Sequence, residues 1–417
     1  MLFAYRFLIN LITILSPIII LYRLLKKKES LTRFREKFCF FSKKKVGGKL
    51  IWFHGASVGE LQSIVPLLEK LEKNNEIKQI LITSNTLSSA KVIEKIKIKK
   101  IVHQFFPVDT NQFSKKFLDY WKPTAAFFID SEIWPNMLVN LKKKNISIVL
   151  INGRITKKTF SRWNLALGFS RKIFGKFDLC MSSSKESKNF LTRLGAKNIK
   201  FFGNLKYSQS EKRNFKINNF LKKNIKKRKI WCASSTHETE ENFCGKVHLQ
   251  LKKKYLNLLT IIIPRHIERV NLIKSNLQKL GLKVQTFRSN ENIKKDTDVY
   301  LIDEYGKTKS FYNLSNNVFL GGSLINHGGQ NPLEAARYGC NILHGPNVSN
   351  FHEIYRFLKR MKISKKITNQ NQTVNLLVKF LSKKIKTKKT KQKLNKIGHK
   401  ILKSTFKEID ILLKNEI

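Results

Sequence analysis

Acidic residues are scarce in this chain: 28 Asp and Glu stand against 82 Lys and Arg, a formal net charge of +54 over 417 residues. Such a balance favours polyanions of any kind, whether nucleic acid, an anionic bilayer or a phosphorylated substrate. The lysines run along the whole chain instead of forming one stripe, and no basic recognition helix, finger spacing or RNA-binding signature accompanies them, so nucleic acid is not expected as a partner. Cysteine is equally thin. Cys39, Cys180, Cys232, Cys244 and Cys340 are odd in number, far apart and never spaced C-x-x-C, which excludes a disulfide framework and a zinc knuckle and suits a cytosolic body. None of the nine histidines falls in an H-E-x-x-H pair, so no resident metal is expected.

What is present is enough apolar residue, 41%, to build packed interiors despite the charge. From Leu2 to Leu25 the chain is almost wholly apolar, broken by Arg6, Asn10 and Arg23, and it runs into Lys26, Lys27 and Lys28. No small-residue cleavage site follows, so the segment reads as a retained membrane anchor with the body kept in the cytoplasm by the flanking cations. It supplies proximity to lipid and no catalytic group. Its uninterrupted core from Leu11 to Leu21 is short for a span and contains Pro17, which leaves a single span and a helix lying in the interface as two readings.

Beyond the anchor, short apolar runs alternate with amphipathic stretches of helical length. Leu50–Phe53, Gln79–Thr83, Ile101–Phe106, Ala125–Ile129, Ser147–Ile151 and Leu179–Ser182 read as one series of strands, and Lys229–Ala233, Leu258–Pro264, Lys283–Phe287, Asp298–Ile302, Val318–Leu320 and Asn341–His344 as a second. The pattern predicts an α/β chain of two doubly wound, Rossmann-like domains with a cleft between them. The expected boundaries are an anchor over 1–28, a first domain over 29–208, a lysine-rich connection over 209–228, a second domain over 229–385 and a terminal helix over 386–417.

Unusual residues sit just after the strands. The first is followed by His54-Gly55-Ala56-Ser57-Val58-Gly59-Glu60, which places Glu60 in the first turn of a helix, either as a dipole-favoured carboxylate or as a catalytic base. Later strands lead to Asp130-Ser131-Glu132-Ile133-Trp134-Pro135-Asn136, to Asn152-Gly153-Arg154 and to Gly203-Asn204-Leu205-Lys206. The second half offers Ser234-Ser235-Thr236-His237-Glu238, Pro264-Arg265-His266, Gly321-Gly322-Ser323 and Gly328-Gly329-Gln330-Asn331-Pro332-Leu333-Glu334. Glycine-turn N–H groups, hydroxyls and an arginine are what a phosphate needs, and a carboxylate such as Glu334 suits a ribose diol. The residues themselves leave open a transferase, an epimerase of the same architecture or a non-enzymatic polyanion binder.

These loops, in this order, resemble those of the 3-deoxy-D-manno-octulosonic acid (Kdo) transferases of lipopolysaccharide synthesis, and the match extends to Gly345-Pro346 and Asn350-Phe351. The resemblance implies a GT-B fold whose N-terminal domain takes a lipid A precursor and whose C-terminal domain takes the donor CMP-Kdo, at the cytoplasmic side of the inner membrane. It implies inverting transfer, with Glu60 as general base and with Asp130 and Lys206 stabilising the transition state. It assigns donor contacts to Pro264 and Arg265, to Tyr305, Gly306 and Lys307, and to Asn331, Pro332, Leu333 and Glu334. The partners it implies are the two substrates and an anionic membrane surface, with no cofactor. Four positions depart from the family pattern: Asp130 replaces a glutamate, Lys307 an acid, Gln330 a histidine and Thr239 a glycine.

Overall fold

A parallel sheet covered on both faces needs strands that are apolar on both, and this chain has them. In the computed structural model, which describes residues 1–26, 28–209, 225, 228–287, 291–382 and 387–415, the first sheet is built from β1 (Lys49–His54), β2 (Ile77–Ser84), β3 (Ile101–Phe105), β4 (Ala125–Ile129), β5 (Ser147–Gly153), β6 (Leu179–Ser182) and β7 (Ile199–Phe201). Their order is β3-β2-β1-β4-β5-β6-β7, with every pairing parallel. Because side chains alternate across a strand, Leu50, Trp52, Ala126, Phe128, Ile148 and Leu150 pack on one face, and Ile51, Phe53, Ala125, Phe127, Val149 and Ile151 on the other. Hydroxyl N-caps set where the covering helices begin: Ser57, Thr86, Thr110, Thr156 and Ser184 each accept the backbone N–H three residues on.

The second sheet comprises β8 (Lys229–Thr236), β9 (Leu258–Pro264), β10 (Val284–Thr286), β11 (Val299–Leu301), β12 (Asn317–Leu320), β13 (Asn341–His344) and β14 (Ser364–Lys366), in the order β10-β11-β9-β8-β12-β13-β14 and again parallel. Two compact units result, one joining residues 1–210 with 397–417 and the other covering 211–396. The lysine-rich connection over 209–228 lies almost wholly outside the described residues. Each strand expected from the sequence is found, and two three-residue edge strands, β7 and β14, are added to them. The closing helix, Thr387–Asn415, does not stay with the second unit: Ile401, Leu402 and Ile409 join the core of the first.

In an order of this kind the sheet changes winding direction between β1 and β4 in the first unit and between β8 and β12 in the second. Loops at the carboxyl ends of those strands open into a crevice where ligands bind.

The apolar N-terminal segment is one continuous helix, Leu2–Leu25, running through Pro17. Pro17 has no N–H for the Thr13 carbonyl, and the Ser16 hydroxyl takes that acceptor instead, at 2.6 Å. Its first turns do not stand free of the body. The Tyr5 hydroxyl donates to Asp109 Oδ2 at 2.8 Å, and Arg6 reaches Asn136 Oδ1 at 2.9 Å and Asn111 Oδ1 at 3.0 Å.

Candidate active site

β1 delivers Glu60 to the first winding reversal. The chain leaves His54, turns at Gly55 and caps the helix Val58–Leu71 with Ser57, whose Oγ accepts the Glu60 N–H at 3.3 Å. The Glu60 carboxylate folds back and accepts from the Ala56 N–H at 2.7 Å and from the Ser57 hydroxyl at 2.7 Å, and the Ser57 N–H at 3.4 Å completes a capping box. Such bonds normally hold a carboxylate's proton affinity down. Here burial pushes the Glu60 carboxyl up to about 7, with the charges of Asp130 and Glu132 adding to it and the two capping bonds opposing. The residue is thus a capping group and a carboxyl poised for proton exchange near neutrality.

Asp130 comes from the other side of the reversal, at the end of β4, and is 5% exposed. Its φ of 57° and the φ of 56° at Asn152 put both in the left-handed region that Asp and Asn tolerate best among residues with a side chain. The conformation turns Asp130 toward the loops after β5 and β7: Asn152 Nδ2 donates to Oδ1, and Lys206 Nζ lies 2.9 Å from Oδ2. Asn152 also accepts the Leu205 N–H at 2.9 Å, which fixes the backbone beside Lys206. Lys206 and Asp130 are therefore joined, and the Asp130 charge is felt by Glu60.

Glu132 is part of a network that the sequence did not reveal. Its Oε2 lies 3.0 Å from His54 Nε2 and 2.9 Å from Trp134 Nε1. His54 is held from behind by Thr83 Oγ1 at 2.9 Å, with its ring stacked on Phe106 at 3.9 Å. Burial raises the Glu132 carboxyl, but His54 and Trp134 outweigh it and leave this acid below its ordinary value. A carboxylate so engaged is a poorer proton acceptor than Glu60. The helix that follows, Pro135–Lys143, is pinned by Asp109, which accepts the N–H groups of Asn136 at 3.0 Å and Met137 at 2.8 Å. Tyr5 and Arg6 of the apolar helix close on that same joint, so the segment expected to supply proximity alone also buttresses the Glu132 loop.

The second unit corrects one expectation. The Gly321-Gly322-Ser323 turn after β12 has the composition of a phosphate cradle, yet the N–H groups of Gly322 and Ser323 already have a carboxylate. Glu240, 1% exposed, accepts from Gly322 at 2.7 Å, Ser323 at 3.0 Å, Leu324 at 3.0 Å and His237 at 3.0 Å. Gly321 is needed for close approach, since a Cβ there would sit 2.4 Å from the Ser235 carbonyl oxygen and 2.7 Å from Glu240 Oε2. An anion-binding nest is present, and its anion is the protein's own.

The remaining residues expected to contact the donor lie at the end of β9 and in the stretches after β9, β11 and β12. Pro264 ends β9 and leaves Arg265 exposed. After β11, Tyr305 is 65% exposed, Gly306 takes a φ of 83°, and Lys307 Nζ pairs with Glu304 at 3.0 Å. After β12, Asn331 Oδ1 accepts the Leu333 N–H at 3.1 Å, Pro332 and Leu333 are buried, and Glu334 Oε1 lies 3.4 Å from Lys309 Nζ. Lys309 was not singled out from the sequence. Three histidines also gather here, His237 with ring centroids 4.3 Å from His327 and 5.9 Å from His266. Among the described residues no group of three His, Cys, Asp or Glu side chains could hold a metal ion.

Comparison with known proteins places these residues in context. Residues 32–209 match the family model described as 3-deoxy-D-manno-octulosonic-acid transferase (kdotransferase). The chain is 31% identical over 375 residues to a 3-deoxy-D-manno-octulosonic acid transferase of Rickettsia bellii, covering 89% of each chain. It is 28% identical over 356 residues to the enzyme of that name from Haemophilus influenzae, covering 84% of this chain and 83% of the other. In fold it is similar to a UDP-GlcNAc 2-epimerase of Neisseria meningitidis, with a TM-score of 0.59 at 15% identity over 88% of this chain and all of that one.

Proposed function

The chain belongs to the 3-deoxy-D-manno-octulosonic-acid transferase family, and from that premise we propose that it moves Kdo from CMP-Kdo to a hydroxyl of a lipid A precursor, with Glu60 as the general base. The observation that carries this reading is Glu60 itself, a carboxyl at the winding reversal of the first sheet whose proton affinity is raised to about 7 beside the Asp130–Lys206 pair. A base works best when its pKa lies near the working pH.

In the reaction the acceptor oxygen forms a bond to the anomeric carbon of Kdo as the bond from that carbon to the CMP phosphate oxygen breaks. The electron pair leaves with CMP, and the hydroxyl proton passes to Glu60. One displacement inverts the anomeric centre, and no covalent enzyme intermediate is needed. Charge gathering on the phosphate calls for fixed cations and dipoles, for which the exposed Arg265 and the Lys309–Glu334 pair are suited. Lys206 pairs with Asp130 and so balances the buried charge of that carboxylate. We assign the protein to the cytoplasmic face of a membrane, where a lipid acceptor is met and where a helix of hydropathy 2.1 finds its solvent.

Membranes bearing the protein, incubated with CMP-Kdo and a tetra-acylated lipid A precursor, should convert the precursor to a product heavier by whole Kdo residues, read by mass spectrometry. A chelator should leave the yield unchanged. An unmodified precursor in the presence of folded protein and intact CMP-Kdo would remove this function.

A further inference from the structure

The Leu2–Leu25 helix is apolar enough to cross a bilayer, but its two ends are not where a crossing would put them. A spanning helix carries its first residues to the far headgroups, about 30 Å from the body. Tyr5 and Arg23 are separated by 18 residues, about 27 Å of helix at the usual rise. Yet the Tyr5 hydroxyl is 2.8 Å from Asp109 Oδ2 and the Arg6 Nε 2.9 Å from Asn136 Oδ1, both on the globular unit. At the other end Arg23 pairs with Glu29 at 3.0 Å, and Glu29 in turn holds Lys37 at 2.6 Å. Both ends therefore sit against the same unit.

Exposure along the helix tells the same story. Ser16 is buried and Leu2, Tyr5, Arg6, Ile9, Thr13, Ile20 and Arg23 are half-buried, a stripe recurring every three or four residues. The opposite stripe, Phe3, Phe7, Ile14, Ile18, Leu21 and Leu25, is 59% to 83% exposed and apolar but for the exposed Asn10 among them. The helix contains no acid, and its cations lie near both ends, at Arg6 and Arg23, with Lys26 and Lys28 following. Cations stay with the cytoplasmic, anionic face of a membrane, and here they mark both ends for that one face.

We propose that this helix lies flat in a single leaflet, latched to the globular unit through Tyr5 and Arg6, with its outer stripe among acyl chains and without crossing the bilayer. The occupant of that stripe is lipid, since an apolar surface of this length has no counterpart in water. The latch closes on the joint that starts the Pro135–Lys143 helix, and so it holds the Glu132–Trp134 loop at the membrane surface where a lipid acceptor presents its head group.

The proposal rests on the membrane location given above, and one experiment separates the two. The full chain, extended before Met1 by a short tag with a protease site, is examined in inverted inner-membrane vesicles, whose cytoplasmic face is outward. The protein should float with the vesicles, survive a high-salt wash, and lose its tag to added protease before any detergent is present. A tag cut only after detergent would overturn the flat placement while leaving the membrane location intact. Release by salt would also overturn it, because an immersed apolar stripe is indifferent to screening. Protein recovered only in the soluble fraction would overturn the membrane location itself. Tyr5→Phe with Arg6→Met should still float and keep its melting temperature within a few degrees, but transfer to acceptor embedded in vesicles should fall severalfold relative to acceptor dispersed in detergent. An unchanged ratio would show that the latch does not position the loop.

Discussion

The two winding reversals of this molecule share a topology and put carboxylates to opposite uses. At β1/β4, Glu60 is half-buried, bonded only by its own turn, and raised to about 7. At β8/β12, Glu240 is buried and takes four backbone N–H groups from two loops. Each acid sits in the first turn of the helix that follows the reversal strand. What separates a reactive carboxyl from a structural one is the number of N–H groups aimed at it, because every such bond favours the charged form and ties the side chain down. The comparison predicts that one acid controls rate and the other stability.

Glu60→Gln provides the largest test. It keeps the size and a capping acceptor but removes the proton acceptor, and loss of a general base typically costs about 10²–10⁴-fold in rate. We expect turnover to drop at least about a hundredfold with the melting temperature unchanged. In the unsubstituted enzyme kcat/KM should rise with pH through about 7 and then level off, because Glu60 acts in its deprotonated form. Normal turnover in the variant would reduce Glu60 to its capping role.

Glu240→Ala should do the reverse. It strands four backbone donors in a buried loop, and hydrogen bonds to a charged group contribute about 1.5–3 kcal/mol each. The second unit should lose at least about 3 kcal/mol of stability, measured by urea unfolding. An unaltered unfolding midpoint would break the comparison from the other side.

A smaller effect tests the coupling within the first site. The Asp130 charge helps to raise Glu60, so Asp130→Asn should lower the Glu60 pKa and shift the acid limb of the pH–rate profile toward lower pH, by about one unit. Asn tolerates the left-handed backbone that this position requires. A limb that stays in place, or moves upward, would show that the Asp130 charge does not raise Glu60.

Much of this was legible because local signals carried it. Runs such as Leu50–Phe53 are apolar on both faces and flanked by turns, so the buried strands and the loops behind them could be read directly. β7 and β14 escaped because Ile-Lys-Phe and Ser-Lys-Lys at sheet edges carry no apolar run, lysine being what keeps an edge from pairing with another chain. Glu60, Asp130 and Lys206 were visible as loop residues. What they touch was not, since the His54–Glu132 contact joins residues 78 apart and the Glu240 contacts span up to 84. A Gly-Gly-Ser turn reads as a phosphate site in sequence whether its anion is a ligand or a glutamate supplied from the start of a helix 82 or more residues away.

The smallest predicted effect lies at Thr239, just before Glu240, where the resembling family has glycine. Thr239 adopts φ 74° and ψ −31°, a conformation in which a β-branched side chain is a true outlier. The turn demands it: the chain must double back within three residues so that the Glu240 N–H reaches the His237 carbonyl at 3.0 Å and the carboxylate meets the glycine loop. The hydroxyl returns nothing to the helix, for it makes no capping bond. Backbone strain of this kind costs about 1–3 kcal/mol, whereas glycine loses about 0.4–1 kcal/mol through its freer unfolded chain. Thr239→Gly should therefore stabilise the second unit by about 1 kcal/mol, a rise of roughly 2–4 °C in its melting temperature for a unit of this size, with kcat unchanged. If the variant melts at or below the original temperature, the turn around Glu240 relaxes more easily than its backbone angles imply, and the rigidity ascribed to this reversal would have to come from the four N–H bonds alone.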